Sequence, residues 1–156
     1  MPLREAVAAI KRGDRVEVPL YSHVTYDIDR ERVQVIASPE AVILDGLHLA
    51  RIETQERPRL IDCLIYLEAD EADIERWFTD RLLPLMAAGV DDPTSYYYTY
   101  RDLGPAARAG FIAKVWVEIN LPNLRNHIVE DRAAADLVVR KAPDHGIVGV
   151  LPGVRP

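Results

Sequence analysis

The 156-residue chain lacks several features that would assign it to a protein class at once. It has a single cysteine, Cys63, which excludes a disulfide framework and a zinc site built on cysteines. It has no run of 18 apolar residues, so we expect no membrane helix. The N-terminus has no apolar signal core, so we expect a cytoplasmic protein. The net charge of −6 argues against a nucleic-acid partner, because phosphate binding needs a basic face.

Two catalytic motifs are also missing from the sequence. No G-x-x-x-x-G-K-[ST] occurs, so the chain has no phosphate-cradling loop with its lysine. No G-x-S-x-G elbow occurs either, and Cys63 lies inside an apolar run. His48, His127 and His145 are isolated and show no metal spacing, so we predict no metal site.

What is present is typical of one globular domain over residues 1–156, with 49% apolar residues. Alternating residues or short apolar runs predict strands at 15–20, 32–36, 41–44, 60–67 and 135–140. Strands that alternate with helices predict an α/β fold of three layers, a mostly parallel sheet flanked by helices.

Three segments carry helical spacing. Residues 2–12 predict a short helix that Gly13 ends. A second helix follows Asp70, and Pro84 should end or kink it, because an interior proline costs about 3 kcal/mol. A third covers 105–120, and the segment 120–123 should break it.

Polar residues that could bind a ligand follow the first strand. Tyr21, His23, Tyr26 and Asp27 could form a hydrogen-bonding wall, since ligands of α/β sheets bind beyond the strand ends. The same residues could instead be a turn whose aromatic rings cover a sheet edge. Asp45 ends an apolar run, as a carboxylate that holds Mg²⁺ near phosphates does, or as a simple Asp-Gly turn.

The second half of the chain offers further candidates, each with an ordinary alternative. Arg81 lies on an otherwise apolar helix face and either extends to solvent or reaches a phosphate. The cluster Tyr96–Tyr100 can line a pocket, fill the core or form a dimer surface. Asn120 could offer an amide to a ligand or end a helix.

These segments together resemble one family. The sequence VPLYSHVTYD at 18–27 resembles the V-P-x-Y-S-H-x-x-Y-D segment of bacterial type I pantothenate kinases, and VILDGLHL at 42–49 resembles their V-I-L-E-G-L-N-V strand. Further matches are IYLEA at 65–69, WF at 77–78 with Arg81, DPTSY at 92–96, INLPNL at 119–124 and ADLVVRK at 135–141. The resemblance covers the chain from about residue 3 to about residue 145, but only the C-terminal half of the family.

The resemblance implies a partial P-loop kinase-like fold and a family reaction in which MgATP phosphorylates pantothenate, in coenzyme A synthesis. It implies that Arg81 reaches the transferring phosphate and that Asp45 replaces a glutamate near the phosphates. Positions that match the family's substrate pocket are Tyr21, His23, Tyr96, Tyr100, Ile119 and Asn120. The family is usually dimeric, and coenzyme A inhibits it.

The missing family half supplies the phosphate loop, a central strand and the catalytic aspartate. Three hypotheses follow. The chain is a truncated pantothenate kinase homologue, inactive alone, that uses MgATP only if the other half is supplied. Alternatively, it is an interaction module that docks with a complementing kinase half or a kinase subunit. The third hypothesis is a remnant that binds pantothenate or a coenzyme A-like ligand without chemistry. We expect no nucleic acid and no membrane as partners.

Overall fold

The computed structural model describes residues 2–22, 24–52 and 59–153. Its contacts group into two compact units, Met1–Leu64 and Ile65–Pro156, and each is described by itself. The prediction of a single domain over the whole chain stays a prediction.

The first unit is a short helix packed on a β-hairpin. Helix α1 spans Leu3–Lys11, as the apolar spacing predicts, and its last turn carries Lys11. Strands β1 (Val16–Ser22) and β2 (Asp27–Ile36) pair antiparallel, so the alternating segments at 15–20 and 32–36 belong to one hairpin. Its buried core consists of Ala6, Ala9 and Val16.

Proline 19 lies inside β1 and shapes the hairpin. The pairing is regular up to Pro19 opposite Val33, and the next residue, Leu20, faces Asp29. This irregularity fits proline, which has no N–H to donate to the ladder and is confined to sheet edges and bulges. The hairpin therefore bends between its base and its tip, where the candidate residues Tyr21 and Tyr26 lie.

The predicted strand at 41–44 is absent. These residues have no regular secondary structure, and the side chain of Ile43 is 94% exposed. A strand of a parallel sheet needs neighbours that take its backbone hydrogen bonds, and no described strand of this unit pairs with the segment. An apolar run can thus have the pattern of a buried strand and remain unpaired in the chain by itself.

The second unit is a three-stranded sheet with helices. Its elements are β3 (Ile65–Glu68), α2 (Glu71–Gly89), α3 (Pro105–Val115), β4 (Leu137–Lys141) and β5 (Ile147–Pro152). The strand order is β3-β4-β5, with β3 parallel and β5 antiparallel to β4. Buried Met86, Tyr97 and Ile112 form the core between the helices.

The α/β class is confirmed, but a mostly parallel sheet is not. In the described residues one strand pair is parallel and two are antiparallel. One reason is that 41–44 does not form a strand. The other is that Ile147–Pro152, an apolar and β-branched run between two glycines, pairs as an unexpected antiparallel edge strand.

Of two predicted helix breaks, the one at 120–123 is wrong, and Pro84 does not end its helix, whereas a kink at Pro84 stays a prediction. Helix α2 continues through Pro84 to Gly89, and because Pro84 and Asp80 are exposed, solvent can hydrate the carbonyl that proline leaves unbonded. After α3 the chain stays helical through residues 116–134, which include π turns at Trp116–Asn120 and Leu124–Ile128. The wider π spacing accommodates Pro122, which has no backbone donor.

Candidate functional site

The first unit holds the aromatic part of the predicted wall. The rings of Tyr21 and Tyr26 meet edge to face, with centroids 6.4 Å apart. Tyr26 occupies the left-handed region, with φ of 55°, in the turn of the hairpin. His23 lies outside the described residues. Asp45 is exposed in the irregular segment after 41–44, so the structure contains no strand end there for it to occupy.

The second unit brings two predicted site residues into contact. The hydroxyl oxygens of Tyr96 and Tyr100 lie 3.2 Å apart, and their rings meet edge to face. We call these two side chains the tyrosine pair. Tyr97, between them in sequence, is buried beside Met86 and Ile112, and its ring meets that of Tyr96 edge to face, with centroids 5.6 Å apart. Tyr97 is therefore part of the core, as one of the alternatives predicted, whereas a pocket or a dimer surface formed by its neighbours stays a prediction.

The environment of Tyr100 favours its protonated form. The hydrogen bond with Tyr96, together with partial burial, raises the pKa of Tyr100 to about 12. The ring of Tyr100 also packs on Phe111 of α3, with centroids 4.7 Å apart. The pair is thus a hydrogen-bonding surface supported by an apolar ring, which suits a ligand with both polar and apolar parts.

Helix α2 carries the predicted phosphate-binding arginine. Arg81 is exposed and makes no hydrogen bond or ion pair with other residues that the structure describes. The guanidinium therefore projects into solvent, which is the ordinary alternative for this residue, and it is also available to an anion.

Ile119 and Asn120 lie together in the π turn that follows α3. Ile119 is 60% exposed and Asn120 is half-buried. In the described residues, no hydrogen bond joins Asn120 or Arg81 to the tyrosine pair. The structure thus joins the tyrosine pair by direct contact, and no hydrogen bond or ring contact among the described residues joins the pair to the other three candidates of this unit, Arg81, Ile119 and Asn120.

One cluster was not expected from the sequence. The ring of His145 stacks on Trp77 of α2, with centroids 4.2 Å apart, and Lys141 Nζ lies 3.1 Å from His145 Nδ1. The indole N–H of Trp77 donates to the carbonyl of Pro143 at 3.0 Å. The turn between β4 and β5 is therefore fixed on α2. Sequence spacing gave no signal for it, since Trp77 and His145 are far apart in the chain.

Two further findings concern metals and membranes. Within 2–22, 24–52 and 59–153, no three His, Cys, Asp or Glu side chains are grouped so that they could hold a metal ion. Over the same ranges, no helix is both long and apolar enough to span a bilayer.

Comparison with known proteins agrees with the motifs. The model of the phosphoribulokinase / uridine kinase family matches residues 2–78. The pantothenate kinase of Sorangium cellulosum is 40% identical over 155 residues, which cover 95% of this chain and 50% of that protein. For the pantothenate kinase of Shewanella denitrificans the identity is 38% over 159 residues, covering 96% and 50%.

A third relative, the pantothenate kinase of Streptococcus pneumoniae serotype 19F, is 35% identical over 141 residues, which cover 88% of this chain and 46% of that protein. The chain thus spans about half the length of the curated relatives that it matches. By these matches the resemblance is confirmed, and the chain is a relative of the pantothenate kinases and of the phosphoribulokinase / uridine kinase family.

Proposed function

We propose that this chain is the C-terminal, pantothenate-binding half of a pantothenate kinase, and that alone it binds pantothenate without phosphorylating it. The observation that carries the proposal is the tyrosine pair, which is assembled within one unit by contacts of that unit. The names of the relatives support the choice of ligand. The single exposed thiol, Cys63, fits a reducing, cytoplasmic location.

The proposed roles follow from the chemistry of each side chain. The tyrosine pair binds polar groups of pantothenate, and Ile119 and Asn120 add an apolar contact and an amide. Within the first unit, we propose Tyr21, His23 and Tyr26 as ligand-binding residues. Phosphoryl transfer would form a bond between the pantothenate hydroxyl oxygen and the γ-phosphorus of ATP, break the bond to the bridging oxygen, release ADP and pass the hydroxyl proton to a base of the other kinase half. The phosphate-binding roles of Arg81 and of Asp45 stay predictions of the family resemblance.

That reaction needs groups that this sequence does not contain. Phosphoryl transfer depends on positioning and on charge stabilisation by a phosphate loop, its lysine and a bound Mg²⁺. No such loop occurs in the 156 residues. We therefore expect MgATP to be used only when the other half of a kinase is supplied.

Calorimetric titration of the whole chain with pantothenate tests the proposal. We expect binding that Tyr96→Phe and Tyr100→Phe each weaken about 5–10-fold, because a hydrogen bond contributes roughly 1 kcal/mol. Tyr98→Phe is the matched control, since its ring stacks on Arg101 and lies outside the pair. No heat and no thermal shift with a folded chain at saturating pantothenate would exclude the binding role.

The claim of inactivity needs its own assay. Pure chain is incubated with MgATP and pantothenate, and 4'-phosphopantothenate is followed by mass spectrometry. We expect no product above the background without protein. Product that disappears in Arg81→Ala would show that the chain is a kinase by itself.

A second candidate function, docking with a complementing half, is favoured by a different observation. The unpaired run 41–44 exposes Ile43, and the outer edge strand β3 exposes Ile65 and Leu67 by 50% and 62%. Exposed apolar strand edges are templates for pairing with another strand. The occupant that fits is the part of a relative, such as the Sorangium cellulosum kinase, that this chain does not match.

Coexpression with that part tests the docking function. We expect a one-to-one complex that phosphorylates pantothenate, and loss of the complex in Ile43→Asp. Ile147→Asp, at a position on β5 that is also exposed, is the control and should leave the complex intact. Elution of the chain as a stable monomer beside the unbound half would count against docking, and elution as a homodimer would assign the exposed edges to a second copy.

A further inference from the structure

The segment that joins α2 to the tyrosine pair is a continuous series of tight turns. The N–H of Asp92 donates to the carbonyl of Gly89, and the N–H of Ser95 donates to the carbonyl of Asp92, at 3.3 and 2.9 Å. The same spacing of three continues from Tyr98 to Ser95 and from Arg101 to Tyr98, at 3.0 and 3.1 Å. From residue 89 to residue 101, backbone hydrogen bonds thus link residues three positions apart without interruption.

Two side chains fix this series. The carboxylate of Asp92 accepts from the backbone N–H of Thr94 at 2.9 Å and from its hydroxyl at 2.7 Å. These bonds, the one from the hydroxyl first, lower the pKa of Asp92 below its ordinary value. The hydroxyl oxygen of Ser95 accepts from the N–H of Tyr97 at 3.2 Å, so it caps the turn that carries the tyrosines.

The series of turns also packs directly against the end of α2. A Cβ at Gly89 would lie 2.5 Å from Ser95 Oγ and 2.9 Å from Tyr97 Cβ, so the turn rests directly on the glycine backbone. Tyr97 is buried beside Met86 and Ile112, which sets the rotation of the turn about its axis. With Tyr97 directed inward, the side chains before and after it are directed to the surface.

We propose that Asp92 and Ser95 are positioning residues, whose side-chain hydrogen bonds hold the 96–100 turn in the shape that brings the hydroxyls of Tyr96 and Tyr100 together. This inference rests on the proposed function for the value of the pair as a ligand wall. The geometry of the pair can nevertheless be measured without ligand. Asp91, directly before Asp92, is exposed and has no hydrogen bond or ion pair with other described residues, so it provides a matched control.

The test is a titration of Tyr100 in chain labelled with 13C at the phenol carbon of tyrosine, between pH 8 and pH 11. The Tyr100 signal is assigned with Tyr100→Phe, and circular dichroism at each pH verifies that the chain stays folded. Because the pKa of Tyr100 is about 12, we expect about a tenth of it to be phenolate at pH 11. In Asp92→Ala and Ser95→Ala the pair separates, and about nine-tenths should be phenolate if the pKa returns to near 10.

The controls separate positioning from general loss of structure. Asp91→Ala should titrate like the parent chain. Asp92→Asn and Ser95→Thr keep an acceptor oxygen at each position and should restore the parent titration, which a loss of fold would not allow. If the alanine variants do not fold, Asp92→Asn and Ser95→Thr still test the proposal. A pKa of Tyr100 near the ordinary value of 10 in both of these variants would overturn it. An unchanged titration in folded Asp92→Ala and Ser95→Ala overturns it as well.

Pantothenate binding is then measured on the same variants. If the parent chain binds no pantothenate but the titrations follow expectation, the positioning role stands and the proposed function fails. If the parent binds and the alanine variants bind as tightly with an altered Tyr100 titration, the pair is positioned by these residues but is not the ligand wall.

Discussion

Two segments of this molecule, the apolar run 41–44 in the first unit and the tyrosine-rich turn 96–100 in the second, differ in whether they form ordered secondary structure and bury a side chain. The first contains Ile43, which is almost fully exposed and joins no strand. The second buries Tyr97 and brings two phenols within 3.2 Å of each other. Both segments resemble functional parts of the same family, so the difference does not follow from how well each is matched. It follows from where the hydrogen-bond partners of each segment lie.

The turn finds its partners nearby. Its backbone bonds connect residues three apart, and the caps Asp92 and Ser95 bond residues two apart. A parallel strand, in contrast, needs neighbours joined by long crossovers, and no described strand of the unit neighbours 41–44. Local contacts therefore assemble the tyrosine pair, whereas 41–44 has no described neighbour with which it could form a strand.

The largest expected effect compares two isoleucines, one from each unit. Ile112 is 0% exposed in the core beneath the tyrosine pair, and Ile43 is 94% exposed. Ile112→Ala should lower the free energy of unfolding by about 2–5 kcal/mol through lost burial and a cavity. Ile43→Ala should change it by less than about 0.5 kcal/mol. Urea unfolding followed by circular dichroism and tryptophan fluorescence measures both.

Both tryptophans, Trp77 and Trp116, belong to the second unit, so fluorescence reports on that unit alone. Ile119→Ala is a control for the substitution itself, because Ile119 is a surface residue of the same unit. A cost for Ile43→Ala close to that for Ile112→Ala would mean that 41–44 is already packed, and the comparison would fail. If Ile43→Ala lowers the free energy of unfolding more when a complementing half is present than when it is absent, the comparison between the two isoleucines becomes sharper.

An intermediate effect compares two glycines of the second unit. Gly89→Ala places a methyl group within 3 Å of Ser95 and Tyr97 and should cost roughly 1–3 kcal/mol through overpacking. Gly110→Ala, in α3 with nothing within 4 Å of the new Cβ, should instead stabilise by about 0.5–1 kcal/mol. Thermal unfolding measures both variants, and we expect a lower Tm for Gly89→Ala and a higher Tm for Gly110→Ala than for the parent chain. If Gly89→Ala is as stable as the parent, the series of turns does not rest on α2 as described.

The elements that the sequence predicted correctly have their partners among the described residues, whether near in the chain, as for β1 and β2, or remote, as for β3 and β4. The apolar stripe of α1, the alternation of β1 and the apolar run of β4 each appear within a few residues of the expected bounds. The strand at 41–44 was predicted from the same kind of pattern and is absent, because periodicity reports which residues prefer burial but not whether a partner strand exists. Pro84 shows the reverse case, since its low helix propensity predicted an end or a kink and the helix continues past it, with packing of Met86 in the core stabilising the last turns.

The sequence named candidate residues but not how they assemble. Tyr96 and Tyr100 were two of these candidates, and the structure brings their hydroxyls together, whereas their role in binding a ligand stays a prediction. Phe111 and Ser95, which support the pair, carry no chemistry that a motif search would select, and they are recognised only once the turn is placed between α2 and α3. A signal did exist for Ser95, because a serine before an aromatic run is a common cap of a helical turn.

The smallest expected effect is a pH dependence that arises from a remote contact of β3. Glu68 accepts from Arg132 Nε at 2.6 Å and from Arg140 Nε at 2.8 Å, and these bonds, Arg132 first, lower the pKa of Glu68 below 4.5. A carboxylate with a lower pKa in the folded chain adds stability above its unfolded pKa, and this stability is lost as the pH falls through the folded value. The free energy of unfolding should therefore decline below about pH 4.5, and Glu68→Gln should make that decline shallower.

Urea unfolding at pH 7, 5 and 3.5 measures this decline, with Glu130→Gln as the matched control on the same helical segment as Arg132. Glu130 is exposed and has no ion pair with other described residues, so its removal should leave the decline unchanged. Equal declines in the parent and in Glu68→Gln would mean that β3 is held by packing and backbone bonds alone. A shallower decline in Glu68→Gln would mean that β3, whose outer edge pairs with no described strand, stays a strand partly because two arginines remote in sequence bind the carboxylate at its end.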